Sequence, residues 1–211
     1  WAGSAAGGAY YSALTNCVLE ANRAATYGGG SYESTAFNCI YKNNIANYGG
    51  GNQWGTLHNC LLMDNTAYIQ GGGALGAVIV NGILLDNEAP QGSNYHSCNI
   101  SFSCATPRPE GAGNLDADPG LVCRFNPRLL PGSPCINAGT NENWMVGATD
   151  LAGRGRISNG LVDMGPYESY ATALTGTIAV AILPEWTNAA AGFPIQFEAD
   201  IQGDVQGYTW D

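Results

Sequence analysis

Basic side chains are scarce in this chain. Lys and Arg total 7 against 17 Asp and Glu, a formal charge of −10. Nucleic acid is thereby excluded as a partner, because tracking phosphates needs a basic face. An anionic membrane surface is excluded for the same reason. Charged residues of both signs make up only 11% of the chain. Its polarity comes instead from Asn, Ser, Thr and Gly, a texture common in extracellular β-proteins. No apolar run is long enough to cross a bilayer, so no membrane insertion is expected. No window of ten or more residues carries helical periodicity, which argues against a helical architecture. Cys-x-x-Cys pairs are missing and His occurs only at 58 and 96, so a metal cluster has little to build on.

What the chain does have is a repeat. Asn38-Cys39-Ile40-Tyr41 leads through Asn44 and Ala46 to Gly49-Gly50-Gly51. An earlier copy runs from Asn16-Cys17-Val18-Leu19 to Gly28-Gly29-Gly30, and a later one from Asn59-Cys60-Leu61-Leu62 to Gly71-Gly72-Gly73. A fourth, Asn81 to Ala89, keeps the pattern without the three glycines. The leading Asn falls at 16, 38, 59 and 81, a period of 21 to 22 residues that marks a solenoid. Spaced leucines of a leucine-rich repeat are absent. Short apolar runs set between Gly and Asn clusters read as strands and turns. The fold predicted is all-β: a right-handed parallel β-helix of about four coils over residues 1–105.

In a parallel β-helix, equivalent residues of successive coils stack about 4.8 Å apart. Asn16, Asn38, Asn59 and Asn81 form one expected ladder, and Asn22, Asn44, Asn65 and Asn87 a second. Asn tolerates the left-handed turn conformation, and its amide can bond those above and below it. Ala24, Ala46, Ala67 and Ala89 mark a tight interior corner. Cys17, Cys39 and Cys60 share a column and are expected to be buried, mostly unbridged thiols, since in-register parallel neighbours rarely offer disulfide geometry. His58, near Cys60, is read as a structural side chain. Cys98 with Cys104, and above all Cys123 with Cys135, stand at loop-closing spacings that would suit disulfides in an exported protein. Residues 88–105 break the period, and are read as a loop and a last, irregular coil.

Residues 113–119 (GNLDADP), 129–139 (LLPGSPCINAG), 149–154 (TDLAGR) and 162–168 (VDMGPYE) then follow in order. This block resembles the C-terminal part of bacterial choice-of-anchor Q proteins, which are exported, right-handed parallel β-helices of the pectin-lyase-like class. Pro166 stands where Ala is more usual. The upstream coils are similar to repeats of polymorphic outer-membrane proteins, which are surface adhesins. Physically, residues 106–170 read as an irregular cap over the open strand edges of the last coil, with Asp150, Arg154, Arg156, Asp163 and Glu168 available for charge pairs. Residues 171–175 read as a linker. Thr177–Ile182, Ala191–Ala199 and the Tyr208-Thr209-Trp210-Asp211 motif resemble the first strands of a PKD-type immunoglobulin-like β-sandwich. The chain opens inside a repeat and closes where more strands should follow, so a fragment of a larger modular protein is expected.

The resemblance implies an extracellular or outer-surface location and, as partners, extracellular glycans or cell-surface proteins; exposed coil edges also allow self-assembly. It leaves two function classes. One is a non-catalytic stalk or adhesin-like binding module. The other is a polysaccharide lyase or glycoside hydrolase of the β-helix class, which would need converging carboxylates, or calcium with a base. Asp64 and Asp86 stack in adjacent coils and are the candidates for binding a cation or a sugar, against a plain solvated column. Asp116 and Asp118 alternate before Pro119 and could offer oxygen ligands to calcium, against an ordinary turn role. No catalytic residue and no cofactor beyond such calcium is assigned, and the non-catalytic class is the one expected.

Overall fold

The computed structural model describes residues 6–169. The expected linker and PKD-type strands over residues 171–211 lie outside the described residues. The described part is built from parallel strands, with a single 3-10 turn at Asn143–Met145. It is a parallel β-helix whose strands each pair with the equivalent strand one coil away.

Three faces carry five strands each. The first holds Ala9–Tyr10, Ser31–Tyr32, Asn52–Gln53, Ala74–Leu75 and Tyr95–His96. The second holds Ala13–Thr15, Thr35–Phe37, Thr56–His58, Val78–Val80 and Asn99–Ser101. The third holds Val18–Glu20, Ile40–Lys42, Leu61–Met63, Ile83–Leu85 and Cys104–Ala105. A fourth side is represented by Ile45–Tyr48 paired with Thr66–Gln70, extended by single bridges to Arg23, Tyr27, Glu88 and Gln91. The stack thus has five turns rather than four. Residues 95–105 are a regular turn, with Tyr95 on Ala74, Asn99 on Val78 and Cys104 on Ile83. The stretch before them also keeps register, because Gly92-Ser93-Asn94 accepts the backbone bonds of Gly72, Gly73 and Ala74 as a glycine triplet would.

The strands are short because each face ends in a residue forced into the left-handed conformation. Tyr11, Glu33, Trp54 and Gly76 end the first face; Asn16, Asn38, Asn59 and Asn81 the second; Ala21, Asn43, Asp64 and Asp86 the third. Such a φ costs a non-glycine residue roughly 1–2 kcal/mol. The stack holds it there, since all but Asp64 and Asp86 of these donate their N–H to the next coil, as Asn38 N does to His58 O at 3.0 Å and Trp54 N to Leu75 O at 2.9 Å. The fourth corner is the glycine triplet. Gly28, Gly49 and Gly71 supply its positive φ. The two glycines that follow have no room for a Cβ: at Gly51 it would sit 2.5 Å from Gly73 O and 3.1 Å from Asn65 Nδ2.

Two apolar cores result. One fills the coil interior with Leu19, Tyr41, Leu62, Leu84, Ala36, Leu57, Ile79 and Ile100. The other lies outside the third face, where Ile40, Leu61, Met63 and Ile83 are covered by Cys135, Met164, Leu121, Leu129 and Tyr167. The C-terminal block is therefore more than an end cap. Residues 112–115 do close the last coil, with Ala105 N donating to Leu115 O and Ser103 N to Asn114 Oδ1. Later residues run back along the flank as a strap, reaching Asn81 at Thr140, Asn59 at Asp163 and Asn38 at Thr149. Burying Leu61, Met63 and Ile83 under it contributes about 1.5–3 kcal/mol each. Coils and strap form one compact unit that ends at Ser169.

Candidate functional site

The two asparagine ladders do different work. Asn22, Asn44, Asn65 and Asn87 form an interior ladder: Asn44, Asn65 and Asn87 each accept on Oδ1 from the backbone N–H and side-chain amide of the Asn before, at 2.8–3.0 Å. Asn94 ends the series, its Oδ1 accepting from Asn87 N at 3.2 Å and Asn87 Nδ2 at 2.9 Å. Asn16, Asn38, Asn59 and Asn81 are in line, but they point outward. Only Asn81 bonds a neighbour in its column, Asn59, at 3.2 Å. Asn38, Asn59 and Asn81 each donate to a strap carbonyl, an arrangement the sequence reading did not foresee.

The acidic candidates are committed elsewhere. Asp64 and Asp86 are both bound by Arg124 of the strap, whose Nη2 lies 2.6 Å from Asp86. Lys42 fixes the same loop, donating to Arg124 O at 3.1 Å and lying over the Phe125 ring. Asp118 accepts from Gly120 N at 2.8 Å, a turn role, and Asp116 accepts from the Thr106 hydroxyl at 2.7 Å. Among the described residues no group of three or more His, Cys, Asp or Glu side chains is placed to hold a metal ion.

The strap acids are buried. Asp150 accepts from Ala152 N, Arg154 N and Glu168 N. Asp163 accepts from Asn137 N and Ser169 N, and Arg156 pairs with Glu168 at 3.2 Å with both side chains out of solvent. Burial pushes the Glu168 carboxyl up to about 8, against the pull of Arg156, and raises Asp163 as well. Burial also lowers Arg156. Every one of these carboxylates is tied to backbone, so they hold the strap's irregular chain in shape.

The cysteines correct the disulfide expectation. All seven are free. Cys123 is exposed on the Arg124 loop, whereas Cys135 is fully buried beneath Met164, beside Cys104. Loop-closing spacing says nothing about which thiol faces the core, and here the two face opposite ways. Cys98 and Cys104 are also separate: Cys98 bonds His96 O and Cys104 bonds Ala117 O. Cys39 and Cys60 are buried unbridged thiols as expected, while Cys17 is only partly covered.

Neither periodicity nor charge pattern pointed to a concave site that the strap creates. A cleft of about 420 Å³ opens between the second-face corner of the first two coils and the strap. Thr15, Asn16, Phe37 and Asn38 line one side; Trp144, Gly147, Ala148 and Thr149 line the other. Phe37 meets Trp144 edge-on at 4.8 Å and stacks on His58 at 4.8 Å. Glu142 fixes this aromatic wall, accepting from Trp144 Nε1 at 3.0 Å and contacting His58 Nδ1 at 2.8 Å. Asn38 is 1% exposed; its Nδ2 donates to Thr149 O at 2.8 Å and its Oδ1 has no protein partner. A buried acceptor left without a donor costs about 1–3 kcal/mol. Among the described residues no helix is long and apolar enough to cross a membrane. No protein-family model matches the sequence, and no curated protein matches it significantly.

Proposed function

We propose that this chain is a non-catalytic β-helix segment of an exported bacterial surface protein, serving as a rigid stalk that carries a binding face. The resemblance of residues 113–168 to the choice-of-anchor Q block, of the coils to polymorphic outer-membrane-protein repeats, and of residues 177–211 to a PKD-type domain supports a modular surface protein. The observation that carries the non-catalytic reading is the fate of the acids. Arg124 bridges Asp64 and Asp86, and the strap acids are bound to backbone N–H groups. Hydrolysis of a glycosidic bond needs one carboxyl free to donate a proton and a second facing it across roughly 5–10 Å. Glu142, outside the cleft lining, is engaged by His58 and Trp144.

The test is a turnover screen against pectins, alginates, glucans and host glycans, with and without calcium. No product is expected. Product formation that disappears in an Asp64→Ala, Asp86→Ala double variant would establish the carbohydrate-active enzyme instead.

A further inference from the structure

We propose that the cleft beside Trp144 binds an uncharged sugar residue of a glycan, an inference that rests on the surface-module reading above. Its chemistry is specific. The wall is aromatic, with Phe37 and Trp144 offering flat apolar surface. The rim is polar and uncharged, with the Thr15 hydroxyl and the Asn16 amide on the solenoid side. Asn38 completes the solenoid side of the cleft, its amide Nδ2 spent on Thr149 O and its Oδ1 closed off from solvent. A ring with one apolar face and several hydroxyl groups matches both the wall and the rim.

Charge selects further. No acidic or basic side chain lines the cleft. Glu142 and His58 are not among the lining residues and contact each other at 2.8 Å. The chain as a whole carries a formal −10, which opposes uronates, sulfated sugars and nucleotides. The volume of about 420 Å³ falls in the range of small-ligand clefts, about 300–1,000 Å³, and suits the end of a glycan rather than a long chain. The wall is also preorganised: the Glu142 contacts fix the Trp144 indole before any ligand arrives, which lowers the ordering cost of binding.

The experiment uses the full chain and titrates it calorimetrically with neutral oligosaccharides (glucose-, galactose- and N-acetylglucosamine-based) and with oligogalacturonate and oligomannuronate. Binding of at least one neutral series and no binding of the uronates is expected. Trp144→Ala and, separately, Asn38→Gly should each weaken that binding at least tenfold. Glycine suits the left-handed φ of residue 38, and circular dichroism checks that both variants keep their sheet signal. Trp54→Ala, which removes an exposed aromatic on another corner, should leave affinity unchanged. Preference for uronates, or for peptides in a parallel peptide screen, overturns the assignment. Neutral-glycan binding that survives both cleft substitutions overturns the cleft but leaves a glycan-binding surface module standing. Absence of any glycan binding overturns the cleft, and a surface-protein ligand found in its place would leave the module reading intact.

Discussion

Replacing Asn65 by Ala removes one rung of the interior ladder, and the structure sets the expected loss. The Asn65 amide donates to Tyr41 O at 2.9 Å and to Asn87 Oδ1 at 2.8 Å. Its Oδ1 accepts from Asn44 N and Asn44 Nδ2. In the Ala variant the Asn44 amide retains Leu19 O for one hydrogen and Asn87 Oδ1 retains the residue-65 N–H. Two donors are left buried without an acceptor, the Asn44 N–H and the second hydrogen of the Asn44 amide, and the Tyr41 carbonyl loses one donor. At about 1–3 kcal/mol for each, the loss should reach about 2–6 kcal/mol. That is a large part of the ~5–15 kcal/mol that holds a typical domain together. Asn43→Ala is the matched control. Asn43 is exposed and left-handed, its column already holds an Ala at 21, and its loss should stay near 1 kcal/mol. Urea unfolding followed by circular dichroism measures both. The slope must be compared as well as the midpoint, because solenoids can unfold in sections. Equal losses near 1 kcal/mol for the two variants would refute the ladder as a source of stability.

Other expectations follow from the same geometry. Gly51→Ala should prevent folding of the middle coils, since its Cβ would meet Gly73 O at 2.5 Å; loss of the sheet signal and of soluble yield would show it. Stability should fall as pH rises from about 5 to 8. Glu168 is raised from 4.5 to about 8, so the folded state holds a proton that the unfolded chain has released throughout that window, and stability declines with pH across it. Raised Asp163 acts in the same direction at the lower end, and Glu168→Gln should flatten the slope of melting temperature against pH. In the native protein Cys123 should be the fastest thiol to react with a water-soluble maleimide, and Cys123→Ser should abolish that phase; mass mapping should find no Cys123–Cys135 bridge.

The strap explains a feature of the repeats that alternation alone leaves open. On the third face, Val18-Leu19-Glu20 reads as a half-buried strand, with Val18 and Glu20 exposed and Leu19 inside. In Ile40-Tyr41-Lys42 the outward Ile40 is already buried, and Leu61-Leu62-Met63 and Ile83-Leu84-Leu85 become apolar on both sides. A strand that is apolar on both sides is covered on both sides. The change of texture between coils therefore marks how far the strap reaches.

The repeat was legible because a solenoid imposes its geometry locally. Each coil must turn at fixed intervals, and only Asn, Gly and a few others turn cheaply, so Asn38, Asn59 and Gly49-Gly50-Gly51 show period and register directly. The interior ladder and the alanine corner were visible for that reason. The outward asparagines looked the same in sequence, because residue type records the left-handed φ and not the direction of the amide. Likewise, the stacking of Asp64 on Asp86 follows from the period, but their partner, Arg124, comes from a loop with no period at all. The burial of Cys135, the exposure of Cys123 and the Trp144 cleft all depend on where the strap lies. Its path is set by long-range contacts between irregular backbone and the solenoid flank, and these leave no spacing in the chain from which they could be read.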